Sequence, residues 1–484
     1  MNIVEPILFH CRMTPDAPAV CVPGSKSEMI TYGQLERYIN NVSVAGLSLG
    51  LAPGDVIGIH VGDKVLHVAI ILGLTRIGVV TFTCRSAAVP AMLKARAVLT
   101  DNPQAFPASQ PTLHADPLWL LGDGRPPPLN RIPVGSYDDV FRINLTSGST
   151  GIPRGAAFSH RSMVERIARY DYICGARFPA SPRLYCDMGL AAAPSFQYLL
   201  YMLMRGGTML LYGADGPSTI QAFDLYNIRN MVTSPHGLSE YLQFFESQNA
   251  VRCNFDHILV IGGLLSKELA DRARIRMCSR IYSAYGATEV GTVTFGPAEV
   301  IADTSGAVGY VLPDVTVEIA GPNGEKLPPG KEGAVRIRTH DVQAYVGDDD
   351  QSGAKFRDNF FYPGDYGMLT EMGLLIVTGR EETRLNLGGD KVNPELVEAA
   401  ICALPDVTDA GVFTVANKLG IEELHAFIVT RADIAQDVLR RHCAARLEKG
   451  FIPVRFFEVD ALPHNEFGKI DRLKLKQMAL NLSF

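Results

Sequence analysis

Apolar positions along the first third of the chain alternate between strand and helix rhythms. A run holding Val56, Ile57, Ile59 and Val61 predicts a strand over 55–61, the spacing that follows predicts a helix over 64–76, and Val79, Val80 and Phe82 predict the next strand over 78–82. That repeat implies βαβ units and a largely parallel sheet. From 107 to 133 the chain is rich in proline, including Pro126-Pro127-Pro128, and reads as a surface connection. The alternation resumes with strands over 208–212, 230–233, 257–261 and 280–284 and helices over 220–226, 237–247 and 267–277.

Near residue 305 the rhythm changes. The segments 315–319 and 333–338, with the turn Pro322-Asn323-Gly324 between them, predict antiparallel β structure. A second change comes near Glu381. Asn393-Pro394-Glu395 supplies an N-cap residue with proline at the first helical position. Strands over 411–415, 425–429 and 454–459 and a helix over 433–449 follow. The expected fold is α/β: a large N-terminal domain of βα sheets with a small β-barrel-like subdomain, residues 1–380, and a small mobile α+β domain, residues 381–484.

A chain of 484 residues exceeds what one core of roughly 250–300 residues holds, which agrees with that division. The 47% apolar and 20% charged content excludes a disordered chain or a coiled coil. A net charge of −6 argues against a nucleic-acid-coating surface. The start, Met1 to Pro6, lacks the pattern of a signal peptide. The longest apolar stretch, 65–80, is interrupted by His67 and Thr75-Arg76 and falls short of the roughly 20 residues of a membrane span. Nine scattered cysteines without a Cys-x-x-Cys pair predict free thiols in a reducing cytoplasm rather than disulfides or a zinc site.

One segment cannot serve a core. Leu145-Thr146-Ser147-Gly148-Ser149-Thr150-Gly151-Ile152-Pro153-Arg154-Gly155 packs four hydroxyls and three glycines into eleven residues, with one cation. Glycines let backbone N–H groups converge on an anion, hydroxyls add donors, and Arg154 adds charge. A strand pattern precedes it and a helix start at 159–164 follows, an order suited to a triphosphate. It is not the Gly-x4-Gly-Lys-Ser/Thr loop of ordinary NTPases, and a flexible surface linker is the plainer alternative.

Further segments carry chemistry, each with a plainer alternative. In Tyr285-Gly286-Ala287-Thr288-Glu289, Glu289 suits Mg²⁺ beside phosphate oxygens and Tyr285 suits stacking on a base; a tight turn with an exposed acid is the alternative. Gly262-Gly263 permits close approach of a flat ligand, or is a strand-to-helix turn capped by Ser266. In Pro363-Gly364-Asp365, the carboxylate can accept both hydroxyls of a ribose, or is a turn aspartate. Gly379-Arg380-Glu381-Glu382 lies where composition shifts and suits a hinge, and Lys469 ends a turn-rich loop where a lone surface lysine is the plain reading.

Taken in order, these segments resemble the superfamily of adenylate-forming enzymes: acyl- and aryl-CoA synthetases, peptide-synthetase adenylation domains and beetle luciferases. The resemblance runs from about residue 30 to 475 and includes Thr146 to Gly155, Gly262-Gly263, Tyr285 to Glu289, Pro363 to Asp365, Gly379 to Glu382, Gly388 to Glu398 and Leu462 to Arg472. It implies that Thr146, Ser147, Gly148, Ser149 and Thr150, with Gly151 and Arg154, hold the β- and γ-phosphates of ATP. It further implies that Gly262, Gly263, Tyr285 and Gly286 border the adenine, Thr288 touches the α-phosphate, Glu289 coordinates Mg²⁺, and Asp365 and Arg380 hold the ribose. Lys469 would bridge carboxylate and α-phosphate. After acyl-adenylate formation the small domain would turn about Glu382 and present a thiol channel at Gly388 and Gly389.

The sequence departs from the family pattern at Arg154 (lysine in the family), Pro363 (threonine) and Glu382 (aspartate or lysine). The region expected to meet the substrate is Ala192-Ala193-Pro194-Ser195-Phe196-Gln197, where amino-acid-activating domains carry an aspartate. The alanines disfavour an α-amino acid, and Ala193, Phe196 and Gly286 are the expected pocket residues, Phe196 at the pocket entrance, with an ordinary helix packing residue as its equal alternative. The implied activity is an AMP-forming acid–thiol ligase using ATP, Mg²⁺ and coenzyme A. The alternative acceptor is the phosphopantetheine thiol of a carrier protein, and a non-catalytic adenylate-binding protein is disfavoured by the presence of Lys469 and Glu289.

Overall fold

The computed structural model describes residues 2–25, 28–84, 89–133, 135–146, 153–175, 182–213, 216–247, 255–338, 342, 344–347, 349–381, 385–387, 390–416, 422–447, 449–464 and 469–480. The chain forms two compact units, one of Met1–Val232, Ala287–Gly291 and Thr339–Phe361, the other of Thr233–Gly286, Thr292–Arg338 and Tyr362–Phe484. The expected boundary at 380/381 falls within the second unit.

In the first unit, a six-stranded sheet runs in the order Thr112–His114, Ala97–Thr100, Val56–His60, Val80–Thr83, Val140–Thr146, Arg154–Ser159. All its pairings are parallel except the last, an antiparallel hairpin. The helix Lys64–Arg76 buries every residue from Val65 to Arg76, because Asp63 caps its N-terminus and its apolar positions circle the whole helix. A second sheet region pairs Pro18–Cys21 with Thr208–Leu211, that strand with Arg183–Cys186, and the latter with Asn230–Thr233, all parallel. The βαβ expectation holds here.

In the second unit, His257–Ile261 pairs in parallel with Ile281–Ala287. The change of rhythm near 305 marks an antiparallel series: Gly291–Pro297, Ala307–Val311, Leu374–Arg380, Asp365–Leu369, Gly333–Arg338 and Val317–Ala320. The C-terminal part is a three-stranded sheet of Val407–Ala416, Glu422–Thr430 and Arg455–Glu458. Strand alternation gives it two apolar faces. Val412, Ala426 and Ile428 join a core with Val397, Ile401 and Leu439, while Phe413 and Phe427 join another with Leu462, Leu475 and Ala479. The first core takes up the helices Pro394–Cys402 and Gln436–Ala444, the second the helix Arg472–Leu480. Asn393 caps the first of these helices through Glu395 N–H, as its sequence predicts.

No helix among the described residues is long and apolar enough to cross a membrane. The cysteines among them are all free, and all but Cys402 are buried.

Candidate active site

The residues singled out by sequence fall into two groups, one in each unit. In the second unit, Asp365 and Arg380 stand directly opposite each other on antiparallel strands. Arg380 Nε donates to Asp365 Oδ1 at 2.7 Å, and the Tyr285 hydroxyl donates to Asp365 Oδ2 at 2.5 Å. Asp365 is 2% exposed, so burial makes these partners costly to lose. The adjacent carboxylate raises the Arg380 pKa above its ordinary value. Tyr285 and Gly286 lie within the strand Ile281–Ala287, which continues past the end expected at Ala284. Gly262 and Gly263 follow the strand His257–Ile261, both exposed. Gly262 has φ +86°, which glycine adopts without steric cost, and a Cβ there would meet nothing within 4 Å. Ser266 caps the next helix through Leu269 N–H, so the turn reading of this segment also holds.

Lys469 belongs to the same group. The residues flanking it are tied together: His464 bridges to Ile470, and Asp471 N–H donates to the Pro463 carbonyl at 2.8 Å. Three residues on, Arg472 forms a fork with Glu398. Its Nη2 lies 2.8 Å from Oε2, and its Nη1 donates to Oε1, which also accepts Val412 N–H at 2.8 Å. Before the loop, His464 stacks on His236 with centroids 4.3 Å apart and places Nε2 3.3 Å from Asp409 Oδ2. The Lys469 pKa is held below that of an ordinary amine by desolvation and by the Arg380 guanidinium, with Glu395 and Asp365 pulling the other way.

The first unit holds the other group. Thr146 ends the strand Val140–Thr146 and sits opposite Arg154 at the start of the strand Arg154–Ser159. Ser147, Gly148, Ser149, Thr150 and Gly151 lie outside the described residues, as do Glu382, Gly388 and Gly389. The strand–loop–helix order expected for the phosphate segment is corrected here. A second strand intervenes, and the helix His160–Ile173 begins beside Val140, at the far end of the hairpin. Six residues at about 3.3 Å each separate it from the loop, so its dipole does not serve that loop.

Glu289 is 6% exposed. Its backbone neighbourhood is pinned by two arginines three apart on the helix His160–Ile173. Arg166 donates to the carbonyls of Thr288 (2.7 Å) and Glu289, and Arg169 donates to that of Val290 (2.7 Å). The Glu289 side chain accepts the Tyr345 hydroxyl on Oε1 at 2.6 Å. The Arg154 guanidinium lies 5.5 Å from the centroid of the same ring. Burial first, then the Glu289 carboxylate, pushes the Tyr345 pKa well above a normal phenol's.

For Phe196 the packing alternative holds. It is 0% exposed in the helix Ala193–Leu203, with the Arg142 guanidinium 4.7 Å from its ring centroid and Phe141 beside it. Arg142 is itself buried among Thr81, Thr83 and Asn144, and desolvation takes its pKa down to about 9. A ring with no accessible surface does not shape a pocket entrance; it packs a core. Ala193, at the helix start, is 6% exposed.

The sequence model of the AMP-binding enzyme family matches residues 9–344, and that of the AMP-binding enzyme C-terminal domain matches 396–469. The chain belongs to the AMP-binding enzyme family. It is 29% identical over 351 residues to a 2-succinylbenzoate–CoA ligase of Bacillus velezensis, covering 71% of this chain and 70% of that one. It is 25% identical to a fatty acid–[acyl-carrier-protein] ligase of Streptomyces coeruleorubidus, over 98% of this chain and 96% of that one. The fold is similar to that of O-succinylbenzoate coenzyme A synthetase from Bacillus subtilis in complex with ATP and magnesium ion. The TM-score is 0.82 at 20% identity, covering 97% of this chain and 99% of that one.

The donor set of this AMP-binding enzyme fits a magnesium–nucleotide. Among the described residues no cluster of three or more His, Cys, Asp or Glu side chains could hold a metal by itself. Glu289 offers a single hard carboxylate, and Mg²⁺ is held by one or two carboxylates with phosphate oxygens and water. Sequence reasoning missed Tyr345, Arg166 and Arg169. The i, i+3 spacing of the two arginines was a visible signal for a shared helix face, whereas nothing around Tyr345 announced its partner.

Proposed function

We propose that this protein is an ATP-dependent carboxylic acid ligase that forms an acyl-adenylate and then a thioester, with coenzyme A as the acceptor. The observation that supports the reading is the buried Asp365 carboxylate, held by Arg380 and Tyr285, in a chain matched by the models of the AMP-binding enzyme family and of its C-terminal domain. A ribose held at Asp365 leaves the α-phosphate within reach of a cation, and Lys469 is that cation. Attack of a carboxylate on an anionic phosphate needs charge neutralised where it accumulates. Mg²⁺, when bound at Glu289, would supply Lewis-acid stabilisation to the phosphates. The chain's own residues do the rest: the 146–154 segment grips the pyrophosphate portion, Thr288 meets the α-phosphate, and Gly262 and Gly263 give the adenine a flat approach.

The acid is an acyl or aryl acid without an α-ammonium, because Ala192 and Ala193 stand where an aspartate would pair with that charge. Residues 381–484 act as the mobile domain that turns about Glu382 between half-reactions and brings Gly388 and Gly389 to the thiol. The reaction takes place in the cytoplasm, where the buried free thiols remain reduced. The carrier-protein ligase among the relatives favours a second acceptor, a phosphopantetheine thiol.

The test is ATP–pyrophosphate exchange across fatty, aryl and hydroxy acids, followed by thioester detection with coenzyme A and with a holo carrier protein. Exchange with one class and a coenzyme A thioester are expected. Absence of exchange with every acid overturns the ligase reading; a thioester on the carrier alone overturns the acceptor.

A further inference from the structure

Tyr345 is held from several sides. Its backbone N–H donates to Ser352 Oγ at 2.8 Å, its ring meets the edge of Phe356 at 5.3 Å, and it bridges to Ala156. Its neighbour Val346 donates to the Gly155 carbonyl at 2.8 Å. The phenol is 4% exposed and its hydroxyl ends on Glu289 Oε1. The backbone that carries Glu289 is fixed independently, through the carbonyls of Thr288, Glu289 and Val290. A carboxylate has acceptor sites on both oxygens. With Oε1 engaged by the phenol, Oε2 accepts no hydrogen bond among the described residues.

We propose that Tyr345 is a positioning residue that locks the Glu289 carboxylate in one rotamer and presents Oε2 as a single-oxygen ligand to the nucleotide's divalent cation. The proposal rests on the ligase reading given above. Two alternatives compete for a buried carboxylate near a cationic residue. It could swing onto Arg154 and form an ion pair, or it could take the metal through both oxygens. The phenol opposes both, because its hydroxyl occupies one carboxylate oxygen, while its ring lies 5.5 Å from the Arg154 guanidinium. This also gives a reason for Arg154 in place of a lysine: a planar guanidinium stacks on a ring face, and an ammonium on a flexible stem does so less well.

The experiment is an electron paramagnetic resonance titration with Mn²⁺ in the presence of a saturating non-hydrolysable ATP analogue and no acid. It compares the unaltered protein with Tyr345→Phe and Glu289→Gln. Tyr345→Phe keeps the ring contacts, so a thermal melt reads whether the fold is intact. The expected result is a melt that stays cooperative though lower, since a buried carboxylate loses its donor, Mn²⁺ affinity lowered about tenfold, and pyrophosphate exchange restored at raised Mn²⁺, since loss of an outer partner typically costs 10–100-fold in metal affinity. Unchanged Mn²⁺ affinity in Tyr345→Phe overturns the proposal, whatever the melt shows. If Glu289→Gln also keeps the original affinity, the metal assignment in the ligase reading fails instead.

Discussion

Asp365 and Arg380 face each other across two antiparallel strands, and the buried carboxylate takes a guanidinium N–H on one oxygen and the Tyr285 hydroxyl on the other. The carboxylate is thereby oriented before any nucleotide arrives, which reduces the ordering that ATP binding must impose. Asp365→Ala removes an acceptor of two hydrogen bonds, one of them charge-assisted. Hydrogen bonds to charged groups contribute roughly 1.5–3 kcal/mol, so kcat/KM for ATP in the exchange reaction should fall on the order of 10–100-fold. Tyr285→Phe should fall less. Equal exchange rates for Asp365→Ala and the unaltered protein would remove Asp365 from the nucleotide site.

Lys469 distinguishes the two half-reactions. The His464–Ile470 bridge and the Arg472–Glu398 pair flank it, so truncating its side chain leaves these supports in place. Lys469→Ala should lower acyl-adenylate formation by roughly 10²–10³-fold, the usual cost of removing one transition-state electrostatic partner. Thioester formation from supplied acyl-AMP should be spared. Equal loss in both steps contradicts the assignment of Lys469 to the first alone.

Glu398 and Arg472 lie 74 positions apart in sequence and meet as a bidentate pair. Glu398 is buried, and desolvation raises its pKa while Arg472 opposes the rise. Removing one partner strands the other charge, at a cost of about 3–5 kcal/mol. Arg472→Met should therefore destabilise the C-terminal part more than the double variant Glu398→Leu/Arg472→Met does. Urea denaturation followed by tryptic cleavage within 381–484 reads this. Additive losses in the double variant would show that the two side chains are not coupled.

Much of this arrangement was legible in the sequence because local signals carried it. The helix over Lys64–Arg76, the Asn393 and Ser266 caps, and the paired ends of the C-terminal motifs depend on spacing and capping chemistry within a few residues. What escaped depends on contacts made across the chain. Of the buried alternating positions 154, 156 and 158, only Ala156 and Phe158 are apolar, too few to mark a strand, so the hairpin was read as loop and helix start. Phe196 looked available for a pocket because nothing local discloses that Arg142, from a different strand, covers its ring. Tyr345 meets Glu289 across 56 positions. In each case the residue type was visible and its partner was not.

Acid should destabilise the first unit through two buried histidines. His160 accepts the Ile3 N–H on Nδ1 at 3.2 Å and stacks on Phe141, and His67 sits against Thr83 at 3.0 Å. Burial lowers the His160 pKa to about 4 and that of His67 to about 3, against 6.5 in the unfolded chain. A depressed folded pKa means that the neutral form is favoured on folding. The stabilisation is complete above pH 6.5 and declines as pH falls, until each folded pKa is reached. Each histidine contributes about 1.4 kcal/mol per pH unit in that window. Asp409 works the other way, since desolvation raises its folded pKa to about 6 and the folded state then takes up a proton first. Comparison of variants removes that contribution, because Asp409 is common to all. Urea denaturation at pH 7.5, 6.5, 5.5 and 5.0 should show a shallower loss of stability on acidification for His67→Gln than for the unaltered protein, by about one proton's slope. Identical slopes would mean that His67 protonates as readily in the folded chain as in the unfolded one, contrary to its burial against Thr83.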